Sequence, residues 1–436
     1  MTRLLQRCLL WVILLSILVP GCSRLDQPAA GTTLRFWAMG REAEAVAALI
    51  PEFERRHPGV RVALQQLPWT AAHAKLLTAY ASDALPDVLQ LGNTWVPEFA
   101  MLNALLPLEV RATRSATVVQ QDYFAGIWAT NVVDGTLYGV PWYVDTRLLF
   151  YRRDLLRKAG FDHPPQSWDE WLTMQAAIKA QVGEQAYAVL LPLNEFEPLL
   201  ALSLQQAEPL LREGGRYGNF RHPDLQRSLA FYARMFELGY APRASNTQIA
   251  NPWTEFGRGY FSFYISGPWN IAEFQQRLPP ELQSAWMTAP LPGPDGPGAS
   301  IAGGSSLVIS RQSAQPDLAW RLIEYLSEPA VQRAFHQRVG DMPPRRSSWD
   351  TSSLADDVYA QAFRDQLERA KPPPAVPEWE RIATEMRLVG ELLVHGKLDV
   401  AGAADELDRR TDRILEKRRW MLQNGSLDSP VMEERP

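Results

Sequence analysis

Two aromatic rings and one acid stand close together in the stretch Tyr138 to Asp154: Trp142, Tyr143 and Asp145. The residues read as a strand that meets a turn at Gly139 and Pro141. A second strand, Leu148 to Tyr151, follows and leads into a helix near Asp154. Flat rings pack on the apolar C–H faces of a pyranose, and a carboxylate accepts charge-assisted hydrogen bonds from its hydroxyls. The chemistry is that of a site for an uncharged polyol. The same residues also suit a strand crossing in an apolar core, with Asp145 capping a turn, and residue types alone leave both readings open.

Other chemistries find no support. The six His, at 57, 73, 163, 222, 336 and 395, are scattered and form no metal-ligating set. Gly214-Gly215-Arg216-Tyr217-Gly218 reads as a loop, and there is no Walker lysine, nucleophile elbow or dinucleotide-binding glycine set. Glu195 and Glu197 lie two residues apart, too close in sequence to flank a sugar from opposite faces as a hydrolytic pair would. No metal, no cofactor and no catalytic residue is expected. The inventory suits binding more than bond-breaking.

These residues need a scaffold. Residues 1–21 read as a signal peptide: Arg3 and Arg7 precede an apolar run, Cys8 to Val19, too short to be a good membrane span. The only two cysteines, Cys8 and Cys22, fall at this end, so the body has no disulfide and relies on its core. The roughly 415 residues from Cys22 onward can fill two sizeable cores. Formal charge is −5, or −7 once Arg3 and Arg7 are removed. Such a body is poorly suited to nucleic acid or anionic lipid surfaces.

A short linker, 22–32, leads to strand Thr33–Trp37, a loop at 38–41 and a helix from about Glu42 to His57, stopped by Pro58-Gly59. Strand Val60–Gln66, a helix over 71–82 and the apolar strand Val88–Leu91 complete a β-α-β-α-β pattern. That pattern is the signature of a parallel, doubly wound sheet. Ligands of such sheets sit beyond the carboxyl ends of the strands, here the loops at 37–42 and 92–95. Beyond Asp154 the chain turns mostly helical, with Ser167-Trp168-Asp169-Glu170 as a capping box and a strand, Phe261–Ser266, ending in Gly267-Pro268-Trp269. Lys371–Pro377 reads as a stiff proline linker, followed by a helical tail and a polar terminus, 421–436, expected to be disordered.

Four stretches together resemble the extracellular solute-binding proteins of carbohydrate ABC importers: Pro86-Asp87-Val88-Leu89-Gln90-Leu91 with Trp95, Leu137 to Tyr151, Ser266-Gly267-Pro268-Trp269, and Met342-Pro343-Pro344-Arg345. The similarity is strongest to the maltose-, trehalose- and oligosaccharide-binding branch. It implies a type II periplasmic-binding-protein fold: two α/β lobes, joined by a hinge of several segments, with a ligand cleft between them. Lobe one would comprise 33–143 plus 300–343, and lobe two 144–299 plus 344–420. The Gly- and Pro-rich crossings at 139–147, 290–302 and 343–347 would act as hinges. Leu18-Val19-Pro20-Gly21-Cys22 resembles a lipobox, implying a lipid anchor at Cys22 and residence in the periplasm or cell envelope.

The resemblance further implies that Gly40, Glu42, Asn93, Tyr143, Asp145, Trp269, Gly303, Gly304 and Arg345 bind ligand. Trp269 would be a stacking ring, Arg345 a hydroxyl-binding cation and Gly303-Gly304 a backbone-donor turn. Related chains carry an acid where this one has Gly92, and Asn93 is expected to supply the polar contact. Trp69 and Trp95 are expected in the core, and Trp142 is expected to pack. The implied partners are a sugar and the importer's permease, with the ATPase reached indirectly and the protein acting as a monomer. An exported glycoside-acting enzyme using Glu42 and Asp145 stays open as an alternative, as does a non-sugar solute.

Overall fold

The computed structural model describes residues 31–249, 251–350 and 352–424. The stretch expected to be a signal peptide, Cys22 and the tail beyond 424 lie outside the described residues. The linker ends one residue earlier than expected, because Thr32 already pairs with Val60.

The first sheet grows from β1 (Thr32–Met39), α1 (Gly40–Ala47), β2 (Val60–Leu67), α2 (Trp69–Ala81) and β3 (Val88–Gly92). The helix expected over 42–57 breaks at Ala48-Leu49 and restarts as Ile50–Arg56. Pro51 has no N–H to donate, so it sits in the first turn of the second piece rather than inside one long helix. β1 runs parallel to β2 and β3, and every residue of β3 is buried, as expected of a strand covered on both faces.

β4 (Gly139–Val144) closes one edge of this sheet. The expected turn at Gly139 and Pro141 is therefore strand. A side chain on Gly139 would lie 2.3 Å from Asn131 Oδ1, which explains the glycine. Pro141 is tolerated because β4 is an outer strand, and the register opposite it slips between Ser305 and Ser306.

The second sheet contains β5 (Leu148–Arg152), β6 (Val189–Leu190), β7 (Phe263–Ser266) and β8 (Trp286–Ala289), in the order β8-β5-β7-β6. Helix α3 (Glu197–Leu204) and helix α4 (Trp269–Arg277) belong to this half. The chain then returns to the first sheet as β9 (Gly304–Ile309), antiparallel between β3 and β4, followed in that lobe by α5 (Pro329–Val339). In the capping box, Ser167 Oγ accepts from the Glu170 N–H at 3.2 Å, but the Glu170 carboxylate takes the N–H of Gln166 instead of that of Ser167.

Apolar residues collect around each sheet, Phe36, Val46 and Ile323 on the first and Phe150, Trp171 and Trp379 on the second. Phe124 and Ile127 fall in the stretch expected for lobe one yet pack into the second core beside Phe150 and Trp349. The proline segment at 371–377 is tied in, since Ala370-Lys371 pairs in parallel with Ser300-Ile301. The tail expected to be disordered from 421 stays helical to Gln423.

Candidate ligand cleft

The end of β3 fixes the first half of the site. Gln90 is fully buried; its Oε1 accepts the Met39 N–H at 2.7 Å. Its Nε2 donates to Tyr143 Oη at 3.2 Å and to Ser305 Oγ at 3.1 Å. One amide thus ties the carboxyl ends of β1 and β4 to the amino end of the antiparallel β9 and holds the Tyr143 ring. Tyr143 in turn donates to Glu42 Oε1 at 3.0 Å, and Trp69 Nε1 lies 3.3 Å from both Glu42 oxygens. Glu42 reaches this position because Gly40, at φ +45°, turns the chain sharply from β1 into α1; a side chain there would strike the Trp69 ring at 2.9 Å.

The second half is built on the crossing after β4. Residues 143, 145 and 147 follow the period of an extended chain, and all three line the cleft. Arg147 donates to Glu197 Oε1 at 3.0 Å, lies 4.0 Å from Asp145 Oδ2, and places its guanidinium 4.6 Å from the Trp269 ring centre. Trp269 can fold back at the start of α4 because a side chain on Gly267 would sit 2.0 Å from its ring.

The cleft these halves enclose holds about 560 Å³. Eight of the nine residues implied by the resemblance line it: Gly40, Glu42, Asn93, Tyr143, Asp145, Trp269, Gly303 and Gly304. Asn93 is mostly engaged structurally, accepting from Ser306 Oγ at 3.1 Å and reaching Ala302 O at 3.5 Å. Gly303 and Gly304 are needed for close approach, since side chains there would meet Asp145 Oδ1 at 2.0 Å and Tyr143 O at 2.2 Å.

Arg345 is the correction. It is 6 % exposed, absent from the cleft lining, and bonded to Asp122 Oδ2 at 2.7 Å and to the Ser327 carbonyl. The proline pair before it carries the chain past the cleft, and Arg345 pins that segment to Tyr123 by an antiparallel bridge. Arg41 and Arg147 are the cations that line the cleft, and Arg147 is the one beside Asp145 and Trp269.

Trp69 and Trp95, expected in the core, are cleft walls as well; Trp69 is 37 % exposed, and the two rings meet edge to face at 5.7 Å. Gly92 explains part of this. A side chain at 92 would touch the Trp95 ring at 3.4 Å, so the indole covers ground that an acid at 92 would share. Trp142 is buried and packs on Phe335, and Trp37 packs beside the first core under Lys75.

Sequence reasoning missed Arg147, Glu197 and Asp341, all on the cleft wall. Alternation from Tyr143 and Asp145 could have found Arg147. Nothing local marks Asp341.

A second chamber of about 530 Å³ shares Asn93, Thr94 and Pro373 with the cleft. It is walled by Pro372-Pro373-Pro374 and leucines, and none of the cleft's stacking rings line it.

The profile of the bacterial extracellular solute-binding proteins matches residues 40–333. Among solved structures, the sugar-binding protein MalE from Xanthomonas citri is 57 % identical, with a TM-score of 0.88 over 90 % of this chain and 99 % of that one. An ABC transporter solute-binding protein from Thermotoga lettingae, bound to α-D-tagatose, is 26 % identical with a TM-score of 0.74 over 88 % of this chain and all of that one. The diacetylchitobiose-binding protein DasA of Streptomyces coelicolor is 24 % identical over 82 % of this chain and 83 % of its own. With the type II fold of two lobes around a cleft, this chain belongs to the bacterial extracellular solute-binding proteins.

Proposed function

We propose that this protein captures a sugar, a disaccharide, glycoside or short oligosaccharide, and delivers it to the permease of an ABC importer. The carrying observation is a cleft with indole rings from both lobes, Trp69 and Trp95 on one side and Trp269 on the other, around carboxylates and the guanidinium groups of Arg41 and Arg147. Rings on both walls and hydrogen-bonding groups at the hinge suit a flat, uncharged, hydroxyl-rich ligand. The sugar-binding protein from Xanthomonas citri, alike over nearly the whole chain, supports the same reading.

In this reading Glu42, Asp145 and Arg147 bind hydroxyls, and Tyr143 both orients Glu42 and meets the ligand. Ligand contacts to both lobes repay the cost of closure, so a bridging sugar shifts the population to the closed form that a permease recognises. The protein would perform no catalysis, act as a monomer, and sit at the membrane through a lipid on Cys22.

A calorimetric screen of the body from Ser23 onward against maltose, trehalose, chitobiose, amino acids and polyamines tests this. A sugar should bind and be recovered intact after incubation. Binding confined to amino acids or polyamines would overturn the sugar reading, and cleavage products would overturn the non-catalytic one. Replacing Cys22 by Ser should move the protein from the membrane to the soluble fraction; an unchanged membrane fraction would refute the anchor.

A further inference from the structure

The crossing that carries Asp145 is paired with the one that carries Asp341. Val144 and Met342 exchange both backbone hydrogen bonds, Val144 N–H to Met342 O at 2.8 Å and Met342 N–H to Val144 O at 3.2 Å. In an antiparallel ladder the adjoining pair makes no hydrogen bonds to each other, and its side chains leave on one face at the closest cross-strand spacing, with Cα atoms about 4.5 Å apart. Here that pair is Asp145 and Asp341. The Asp145 N–H turns away to Gly303 O at 3.4 Å, as the pattern requires, and both carboxyls line the cleft.

Two carboxylates placed opposite each other repel. Asp341 has little relief: it is 7 % exposed, and among the described residues no hydrogen bond or ion pair reaches its carboxyl. Arg41 on α1 is the cation that lowers its charge cost, and His336 on α5 touches only its backbone carbonyl, at 3.0 Å. Asp145 has Arg147 at 4.0 Å, but that guanidinium is already bonded to Glu197. Burial, then the charges of Glu42 and Asp145, pushes Asp341 well above the ordinary carboxylate range. Burial, then Glu197 and Glu42 acting against Arg147, pushes Asp145 up to about 6. The Tyr143 hydroxyl is engaged with Glu42 and Ser305 and leaves the pair unaided.

We propose that Asp145 and Asp341 act as one carboxyl pair that holds a single proton in the ligand-free cleft and releases it when ligand hydroxyls bind. The proposal rests on the sugar reading for the identity of the ligand. The balance is simple: hydroxyl donors favour ionised carboxylates, so the shared proton leaves to solvent while the ligand keeps its own. Affinity then rises with pH until the pair is ionised, and falls in acid by up to about tenfold per pH unit. Asp341 becomes a ligand-binding residue in its own right.

Two measurements test this. Infrared titration of the ligand-free protein should show a protonated carboxyl persisting above pH 6 that moves to lower pH in Asp341→Asn, because the remaining acid loses its partner's charge while staying buried; Asp145→Asn should do the same. Absence of that band in the native protein, or its persistence to the same pH in both variants, overturns the proposal whatever the ligand is. Calorimetry with maltose at pH 6.5, in two buffers of different ionisation heat, should show proton release in the native protein and markedly less in Asp341→Asn. Binding with no proton release also overturns it. Failure of maltose and every other sugar to bind would sink the sugar reading instead, and the infrared arm would still judge the pair.

Discussion

Replacing Arg345 by Met separates two roles for this residue, ligand cation and structural pin. The guanidinium is 8 % exposed and its partner Asp122 is 19 % exposed. Breaking a buried pair from one side costs about 3–5 kcal/mol, because the remaining charge loses its compensation. Asp122 keeps the Ser347 N–H at 2.9 Å and the Ser347 hydroxyl at 2.5 Å, so the lower end, about 3 kcal/mol, is expected. At about 2.1 cal/mol/K per residue, a body of this length unfolds with about 0.8 kcal/mol/K, so Tm should fall by about 4 °C.

The pH sense follows from Asp122. Burial pushes its carboxyl up, but Ser347 and Arg345 together outweigh burial and hold it below the ordinary range. Stabilisation of that sign is present above the unfolded carboxylate value and is lost as pH falls through the folded one. The Tm gap between native and variant should therefore close below about pH 4. Scanning calorimetry across pH 3–8 reads the gap, and titration of the folded variant with its sugar should give an affinity within about twofold of native, since the side chain makes no wall of the cleft. A tenfold loss of affinity at unchanged Tm would refute the reasoning and restore Arg345 to the site.

Other perturbations divide the site by mechanism. Gly303→Ala should displace only the flexible end of Asp145, lowering affinity about tenfold with little change in Tm, whereas Gly304→Ala, at φ +121° against the Tyr143 carbonyl, should cost more than about 2 kcal/mol of stability; equal Tm for the two would contradict this. Asp145→Asn should weaken binding by about 2 kcal/mol. Its raised carboxyl carries a penalty that appears above the unfolded value near 3.9 and is complete above about 6, so the ligand-free variant should be more stable at pH 8, by about 1 kcal/mol after solvent screening, and unchanged at pH 3. A variant less stable than native at pH 8 would show Asp145 to be a structural cap. Trp269→Ala should lose about 1–2 kcal/mol of affinity and Trp269→Phe recover part of it; no loss in calorimetric titration would remove this ring from the site.

Much of this was legible in the chain because local pattern and tertiary role coincide. The apolar strand Val88–Leu91, the alternation around Tyr143 and Asp145, and the Gly-Pro-Trp turn each mark their place within a few residues. What escaped depends on contacts between distant segments. Pro141 reads as a turn until its own strand proves to be the last in the sheet. Arg345 reads as a cleft cation until Asp122, more than two hundred residues earlier, claims it. Asp341 has no signal of its own, since its environment is set by the bridge between Val144 and Met342. An indole is equally suited to a core and to a cleft wall: Trp95 does both, packing on the apolar cluster of the first sheet while it lines the cleft, and Trp69 stands exposed in the wall.

Most of the cleft's charged and aromatic side chains fall into two circuits of contacts. Glu42, Trp69, Tyr143, Gln90 and Ser305 bond among themselves on the first sheet. Arg147, Glu197 and Trp269 do so on the second. Among the described residues, no side-chain hydrogen bond joins one circuit to the other. Thr94 and Glu380, which do bond across the lobes, belong to neither. Parting the lobes therefore leaves two intact half-receptors rather than a set of severed partners. Under the proposed function, a ligand would dock on one prepared surface before the other closes over it, and recognition would ask only that the lobes swing about their crossings.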